Sequence, residues 1–265
     1  MRSASLFVFF SLLLVAIVAC KPYFGQNVSP ADTLQVNPVN SIEARADITG
    51  FVTLYDEFGV PKPKSDSMIV SLEGLKTAFP VRTRPEGRFV IANAFAGKYN
   101  LSYNKPNYGN YKLIGITHSA GSGLPTLVEP VTIWEMAKTR PSNLTVAVSD
   151  FNLTFSGVSE PIQPAGTVVE QQRRLRLFFG RDEKVSHLNY VTTLDQIVIP
   201  PGGTGAFTAK LPADDLLAFK PGERVYVIAY GITATENAYE DPDTKRKVYT
   251  GINPKPSNVV SFVLP

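Results

Sequence analysis

The chain has 265 residues, a formal net charge of +3 at pH 7 and one cysteine. A single cysteine excludes a fold held together by internal disulfides, so stability has to come from buried apolar surface. The longest basic run is Lys245-Arg246-Lys247, and without a concentrated basic face no nucleic-acid partner is expected.

Residues 1–20 are typical of an export signal. Arg2 supplies the positive start, and the apolar stretch from Leu6 to Ala19 is shorter than the ~20 residues that a membrane-spanning helix needs. Ile17-Val18-Ala19-Cys20 resembles the lipobox of bacterial lipoproteins. That resemblance implies cleavage before Cys20 and acylation of this cysteine with fatty acids such as palmitate. Because two or three acyl chains hold a protein stably, we expect a membrane anchor at Cys20, with a plain secretory signal as the alternative.

The residues after Cys20 predict a compartment and a tether. Lys21 follows the cysteine, so the aspartate that marks inner-membrane retention is missing and the outer membrane is predicted, with its periplasmic or surface side left open. Residues 21–45 contain several X-Pro steps and few large apolar side chains. Because such steps disfavour helix and so little core can form, we predict a flexible tether over 21–45.

Short runs rich in Val, Ile, Tyr, Phe and Thr, separated by Pro and Gly, predict an all-β fold of two tandem β-sandwich domains. The first domain is predicted over residues 46–149, with Thr126 to Ile133 and Leu144 to Val148 completing its sheets. Ile133 to Thr139 is a candidate for a short helix. Alternation places three residues on one strand face. These are Met68, Val70 and Leu72.

Several motifs in this region, in their order and spacing, resemble the carboxypeptidase regulatory-like domain. They are Gly50-Phe51-Val52, Asp56 to Pro61, Thr83 to Ile91 and Ala96 to Leu101. The resemblance covers about residues 46–148 and implies a seven-stranded sandwich akin to transthyretin and to Cna B-type repeats. It implies no peptidase activity, because those relatives keep their zinc in a separate catalytic domain.

The second domain is predicted over residues 150–265. Arg174 to Phe179 alternates, which directs every second residue from Leu175 into a core. Phe219 to Tyr230 resembles the fibronectin type III signature, and that resemblance implies an immunoglobulin-like sandwich. Asn237 to Asn253 is predicted to form a long hairpin.

We predict no catalytic site, no metal and no cofactor. The two histidines, His118 and His187, lie in neither a nucleophile elbow nor a cluster of metal ligands, so we expect each to be structural or on the surface. A small hydrolase is the third hypothesis, and it requires a pocket that unites one histidine with a carboxylate and a hydroxyl.

Two weaker patterns concern calcium and glycosylation. Calcium takes six to eight oxygen ligands, and the three acids at the tip of the predicted hairpin, Glu240, Asp241 and Asp243, are interrupted by Pro242 and are too few to establish a site. A solvated tip is therefore favoured, and calcium binding is left open. Thr33 and Ser67 lie in Asp-Thr-Leu and Asp-Ser-Met sequences. These resemble the acceptor motif for O-glycans on exported proteins of Bacteroidota.

Three aromatic residues, Tyr108, Tyr111 and Trp134, are candidate ligand contacts, because exposed aromatic rings mark binding surfaces. The favoured function is a non-catalytic, membrane-anchored lipoprotein that binds or scaffolds an envelope protein or a glycan in the cell envelope. The alternative is a carbohydrate-binding accessory lipoprotein of a polysaccharide-uptake system, which an exposed line of Tyr and Trp would favour.

Overall fold

The computed structural model describes residues 44–265 apart from 75–79, 122, 195 and 236. The predictions for Cys20, Thr33 and the tether up to residue 43 lie outside the described residues. The described residues belong to one compact unit. Among them, no helix has both the length and the apolar character that crossing a bilayer requires.

The described residues between 45 and 134 contain eight strands. In chain order they are β1 (Arg45–Tyr55), β2 (Ile69–Leu72), β3 (Val81–Arg82), β4 (Arg88–Phe95), β5 (Gly97–Asn104), β6 (Tyr111–His118), β7 (Thr126–Leu127) and β8 (Val131–Trp134). Strand β1 pairs antiparallel with β4 and parallel with β7 and β8. The facing sheet has the order β3-β2-β5-β6.

One hydrophobic core draws on both of these sheets. Along β1 every second residue from Ala46 to Leu54 is buried, because successive side chains of a strand point to opposite faces. The inward face predicted around β2 is confirmed, since Met68, Val70 and Leu72 are all buried.

The described residues from 140 onward contain ten strands and two short 3-10 helices. The strands are β9 (Arg140–Ser149), β10 (Asn152–Glu160), β11 (Arg174–Gly180), β12 (Thr192–Thr193), β13 (Ile197–Val198), β14 (Ala206–Pro212), β15 (Arg224–Ile232), β16 (Ala238–Glu240), β17 (Lys247–Tyr249) and β18 (Val260–Val263). The 3-10 helices are Val169–Gln171 and Ala213–Asp215. One sheet has the order β14-β10-β9, another has the order β12-β11-β15-β18 with β13 also on β11, and β16 pairs with β17.

Strand β11 is buried on both faces. Its predicted inward residues, Leu175, Leu177 and Phe179, lie in the core between the two sheets, as the alternation predicts. Phe178 points the other way and is also fully buried, in a second cluster that includes Tyr230 and residues of the β16–β17 hairpin. The sheet is therefore covered on its outer side as well. The predicted all-β sandwich fold is confirmed.

The predicted role of Leu144 to Val148 is wrong. These residues belong to β9, which pairs with β10, and Leu144 lies in the core built by the later strands. Strand pairing does not test whether the chain divides into independent domains at residue 149, so that division stays a prediction.

The helix predicted over Ile133 to Thr139 is also wrong. The first part is strand β8, and the rest is extended, since its backbone N–H groups donate away from the segment instead of along a helix. The Ala137 N–H donates to the carbonyl of Gly251 (3.0 Å) and the Lys138 N–H to the Glu57 carboxylate (2.7 Å).

Candidate ligand-binding groove

A groove of about 470 Å³ lies between the β5–β6 loop and the β16–β17 hairpin. Three tyrosines line it, namely Tyr108, Tyr239 and Tyr249, and we call it the tyrosine groove. Its volume is within the range of about 300–1,000 Å³ that is usual for small-molecule sites.

The β16–β17 hairpin brings Tyr239 to the first sandwich. The hairpin predicted over 237–253 is confirmed, with Tyr239 opposite Val248. Its base is attached to the first sandwich because the Asn237 side chain donates to the Thr132 carbonyl of β8. The ring of Tyr239 meets the ring of Tyr111 edge-on, with 5.9 Å between centroids.

The β5–β6 loop supplies amides to the same groove. Asn104, Asn107 and Asn110 line it and are exposed. Within the described part of the chain, their side-chain amides take part in no hydrogen bond. Asn107 has a φ of 68°, which asparagine tolerates better than most residues, and its carbonyl accepts the N–H of Met136 at 2.8 Å. Each free amide offers both donors and an acceptor, which suits a ligand rich in hydroxyl groups.

Tyr108 lines the groove, whereas Tyr111 does not line it and contacts it only through the ring of Tyr239. Neither ring forms an exposed platform. Tyr108 is 8% exposed, and its hydroxyl is 3.5 Å from the Glu135 carboxylate. Burial and this carboxylate raise the pKa of Tyr108 to about 12, so its phenol stays protonated. Tyr111 is half-buried between Tyr103 and Tyr239. Ligand contact by these two residues stays a prediction.

Trp134 lies elsewhere. Its ring stacks on Tyr55, with 5.5 Å between centroids and 23° between planes, because the two residues are partners in the parallel pairing of β1 and β8. It does not line the tyrosine groove. Trp134 is therefore not a contact of the tyrosine groove.

Tyr239, Tyr249 and the loop asparagines were not among the predicted contacts. The predicted hairpin already included both tyrosines, and Asn104 to Asn110 contains Pro106 and Gly109, which are typical of turns. No local pattern shows that this turn and this hairpin face each other.

The two histidines differ in their surroundings. His118 is buried, with Nδ1 2.7 Å from the Thr126 hydroxyl and Nε2 3.2 Å from the Ala94 carbonyl, so the expected structural histidine is confirmed. His187 lines the groove beside the ring of Tyr230, at 4.9 Å between centroids. Burial lowers the pKa of His187, which favours the neutral imidazole at pH 7. Its Nδ1 is buried and has no hydrogen-bond partner among the described residues.

The acidic tip and Ser67 have local partners. The Asp241 carboxylate accepts the backbone N–H of Thr244 (2.8 Å) and of Asp243 (3.2 Å), and these bonds lower the pKa of Asp241. Among the described residues, no three His, Cys, Asp or Glu side chains come close enough to hold a metal ion. The Ser67 hydroxyl donates to the Asp66 carboxylate at 2.8 Å, and O-glycosylation of Ser67 stays a prediction.

A second cavity, of about 730 Å³, adjoins the tyrosine groove. It is lined by the cations Lys138, Arg140 and Lys255, and we call it the cationic cleft. The two cavities have Asn107, Met136 and Pro254 in common, so they adjoin at the surface that these residues form.

A buried carboxylate joins the two sandwiches beside the cleft. Glu57, in the turn after β1, has a side chain only 5% exposed. It accepts the Lys138 N–H at 2.7 Å and a guanidinium N–H of Arg173 at 3.2 Å. The Glu57 carbonyl accepts the N–H of Ala234 at 3.0 Å. The groove and the cleft are therefore built on two sandwiches that are hydrogen-bonded to each other.

No family model matches the chain, and no curated protein matches it. Solved structures similar to it include a proposed carbohydrate binding protein from Bacteroides uniformis, 14% identical, with a TM-score of 0.32 over 83% of this chain and 99% of that one. A DUF3823 family protein from Bacteroides ovatus is 15% identical, with a TM-score of 0.29 over 83% of this chain and 100% of that one. Another member of that family, from Parabacteroides merdae, is 12% identical, with a TM-score of 0.27 over 79% and 97%. Likenesses at these scores carry no argument about function, and both domain resemblances stay predictions.

Proposed function

We propose that this protein is a non-catalytic binding module of the bacterial cell envelope, anchored to the outer membrane by lipid on Cys20. It holds its ligand in the tyrosine groove. The observation that carries the proposal is the pairing of tyrosine rings with three free asparagine amides in one groove of about 470 Å³.

The same observation favours a glycan over an envelope protein as the ligand. Sugars combine apolar ring faces, which pack on aromatic rings, with hydroxyl groups, which pair with amides. This supports the role of a carbohydrate-binding accessory lipoprotein in polysaccharide uptake.

A glycan array probed with the purified full-length protein tests the proposal. We expect binding to one group of oligosaccharides and a loss of about tenfold in affinity in Tyr239→Ala, because stacking on a ring contributes up to about 1.5 kcal/mol. Phe151→Ala is the matched control, since Phe151 is 65% exposed and lines neither cavity. An array without binding, or equal binding by Tyr239→Ala, would contradict the proposal.

The anchor is tested separately by Cys20→Ser. Each buried methylene of an acyl chain contributes about 0.8 kcal/mol to membrane binding, so the variant is expected in the soluble fraction without incorporated fatty acid. Fatty-acid labelling that survives the substitution would show that the lipid is attached to a residue other than Cys20. Separation of inner and outer membranes then tests the compartment.

A further inference from the structure

We infer that the ligand is an acidic oligosaccharide, whose sugar rings lie in the tyrosine groove and whose anionic group lies in the cationic cleft. The inference rests on the proposed function and names its ligand class. It starts from the adjacency of the two cavities, which share Asn107, Met136 and Pro254 as lining residues. A ligand of more than one sugar ring can therefore reach both.

The charges around the cleft leave a surplus of cations. Glu135 is neutralised by Lys62, at 2.7 Å. Glu57 lies 3.2 Å from Arg173 and 3.7 Å from Lys138, so one carboxylate faces two cations. Arg173 is nearly buried and lies closer, which leaves the charge of Lys138 largely uncompensated.

Lys255 adds a second uncompensated charge. It is exposed at the edge of the cleft, and among the described residues its ammonium has no ion-pair partner. A neutral sugar brings no charge opposite to these two ammonium groups, whereas a carboxylate or a sulfate would compensate their positive charge.

The guanidinium of Arg140 is placed to bind the anionic group of a ligand. Its guanidinium lies 3.2 Å from Glu160, and the two side chains are 49% and 69% exposed. Exposed pairs of this kind are weak, so the guanidinium can exchange Glu160 for a ligand. Its planar fork binds a carboxylate or a sulfate through two parallel hydrogen bonds.

The test is a panel of acidic oligosaccharides, each measured beside its carboxyl-reduced or desulfated counterpart, with the full-length protein. We expect the acidic form of at least one pair to bind more tightly. We expect Lys138→Gln and Lys255→Gln each to weaken that binding about threefold, and together about tenfold, without changing binding of the neutral form. Raising the salt from about 0.1 M to about 1 M shortens the Debye length from about 10 Å to about 3 Å and should weaken acidic ligands selectively.

Lys210→Gln is the matched control, because Lys210 is exposed on β14 and lines neither cavity. Equal affinity for acidic and neutral forms would overturn this inference and leave the proposed function standing. Acidic binding that the double variant retains in full would also overturn it, since the anion would then lie outside the cleft. A panel in which neither form of any pair binds would overturn this inference, whereas the proposed function is overturned only if the glycan array also shows no binding.

Discussion

Replacement of Glu57 by glutamine tests whether the buried carboxylate holds the two sandwiches together. Glutamine keeps the size of the side chain, and its oxygen can still accept the Lys138 N–H that now lies at 2.7 Å. It removes the negative charge that faces Arg173 at 3.2 Å. Arg173 is 12% exposed, so its charge then lies largely buried without a counterion.

The size of the expected stability loss follows from the burial of Arg173. Removing one partner of a buried ion pair costs about 3–5 kcal/mol, because an uncompensated buried charge remains. The lower end applies here, since Arg173 keeps a hydrogen bond to the Thr139 hydroxyl at 3.4 Å. We expect Glu57→Gln to lower the free energy of unfolding by about 3 kcal/mol, and the melting temperature by about 6–12 °C for a protein of this size.

Urea unfolding measures the effect, with the fluorescence of the single tryptophan, Trp134, as the reporter. The control is Glu160→Gln, because Glu160 forms an exposed pair with Arg140 and such pairs contribute at most about 1 kcal/mol. The double variant Glu57→Gln/Arg173→Met should recover part of the loss, since it removes the stranded charge. A loss in Glu57→Gln no greater than in Glu160→Gln would refute the reasoning.

Three further predictions concern the packing and the pH dependence of stability. Gly231→Ala on β15 places a methyl group against the backbone oxygen of Thr139, so it should lower the free energy of unfolding in urea by about 1–3 kcal/mol. The control is Gly203→Ala, which has open space at its Cβ and should leave the free energy of unfolding nearly unchanged. Phe155→Ala removes a fully buried ring and should cost about 3–5 kcal/mol; a cost below about 1 kcal/mol would mean that this core is not packed as described. Burial lowers the pKa of His187 below its usual value of about 6.5 in the unfolded chain. The unfolded state then binds the proton more readily, so the free energy of unfolding should fall as the pH drops from about 7.5 to about 5.5. In His187→Gln the free energy of unfolding should fall less over this range. The same pH dependence in both proteins would contradict the burial of a neutral His187.

Strand faces were predictable because their pattern is local. The burial of Met68, Val70 and Leu72 follows from a period of two along one strand. The inward face of β11 follows in the same way. The burial of Phe178 on the opposite face does not, because it depends on Tyr190 and Tyr249, which come from other parts of the chain.

The candidate site was predictable only in part. Of the three predicted contacts, Tyr108 lines the groove, Tyr111 meets it only through the ring of Tyr239, and Trp134 stacks on Tyr55. The register of β1 against β8 decides that stacking, and the register of two distant strands leaves no signal in either strand alone.

The sequence by itself determined the strand-rich character of the protein, the alternation of its core residues, the hairpin at 237–253 and the lipobox-like motif that ends at Cys20. Each of these depends on residues that are near one another along the chain. Only the tertiary structure decided that β9 joins the later strands, that Glu57 meets Arg173 across 116 residues, and that a tyrosine groove adjoins a cationic cleft. The physical reason is that side-chain periodicity reports which face of a strand is buried, whereas the surface that covers that face is chosen by packing between distant segments.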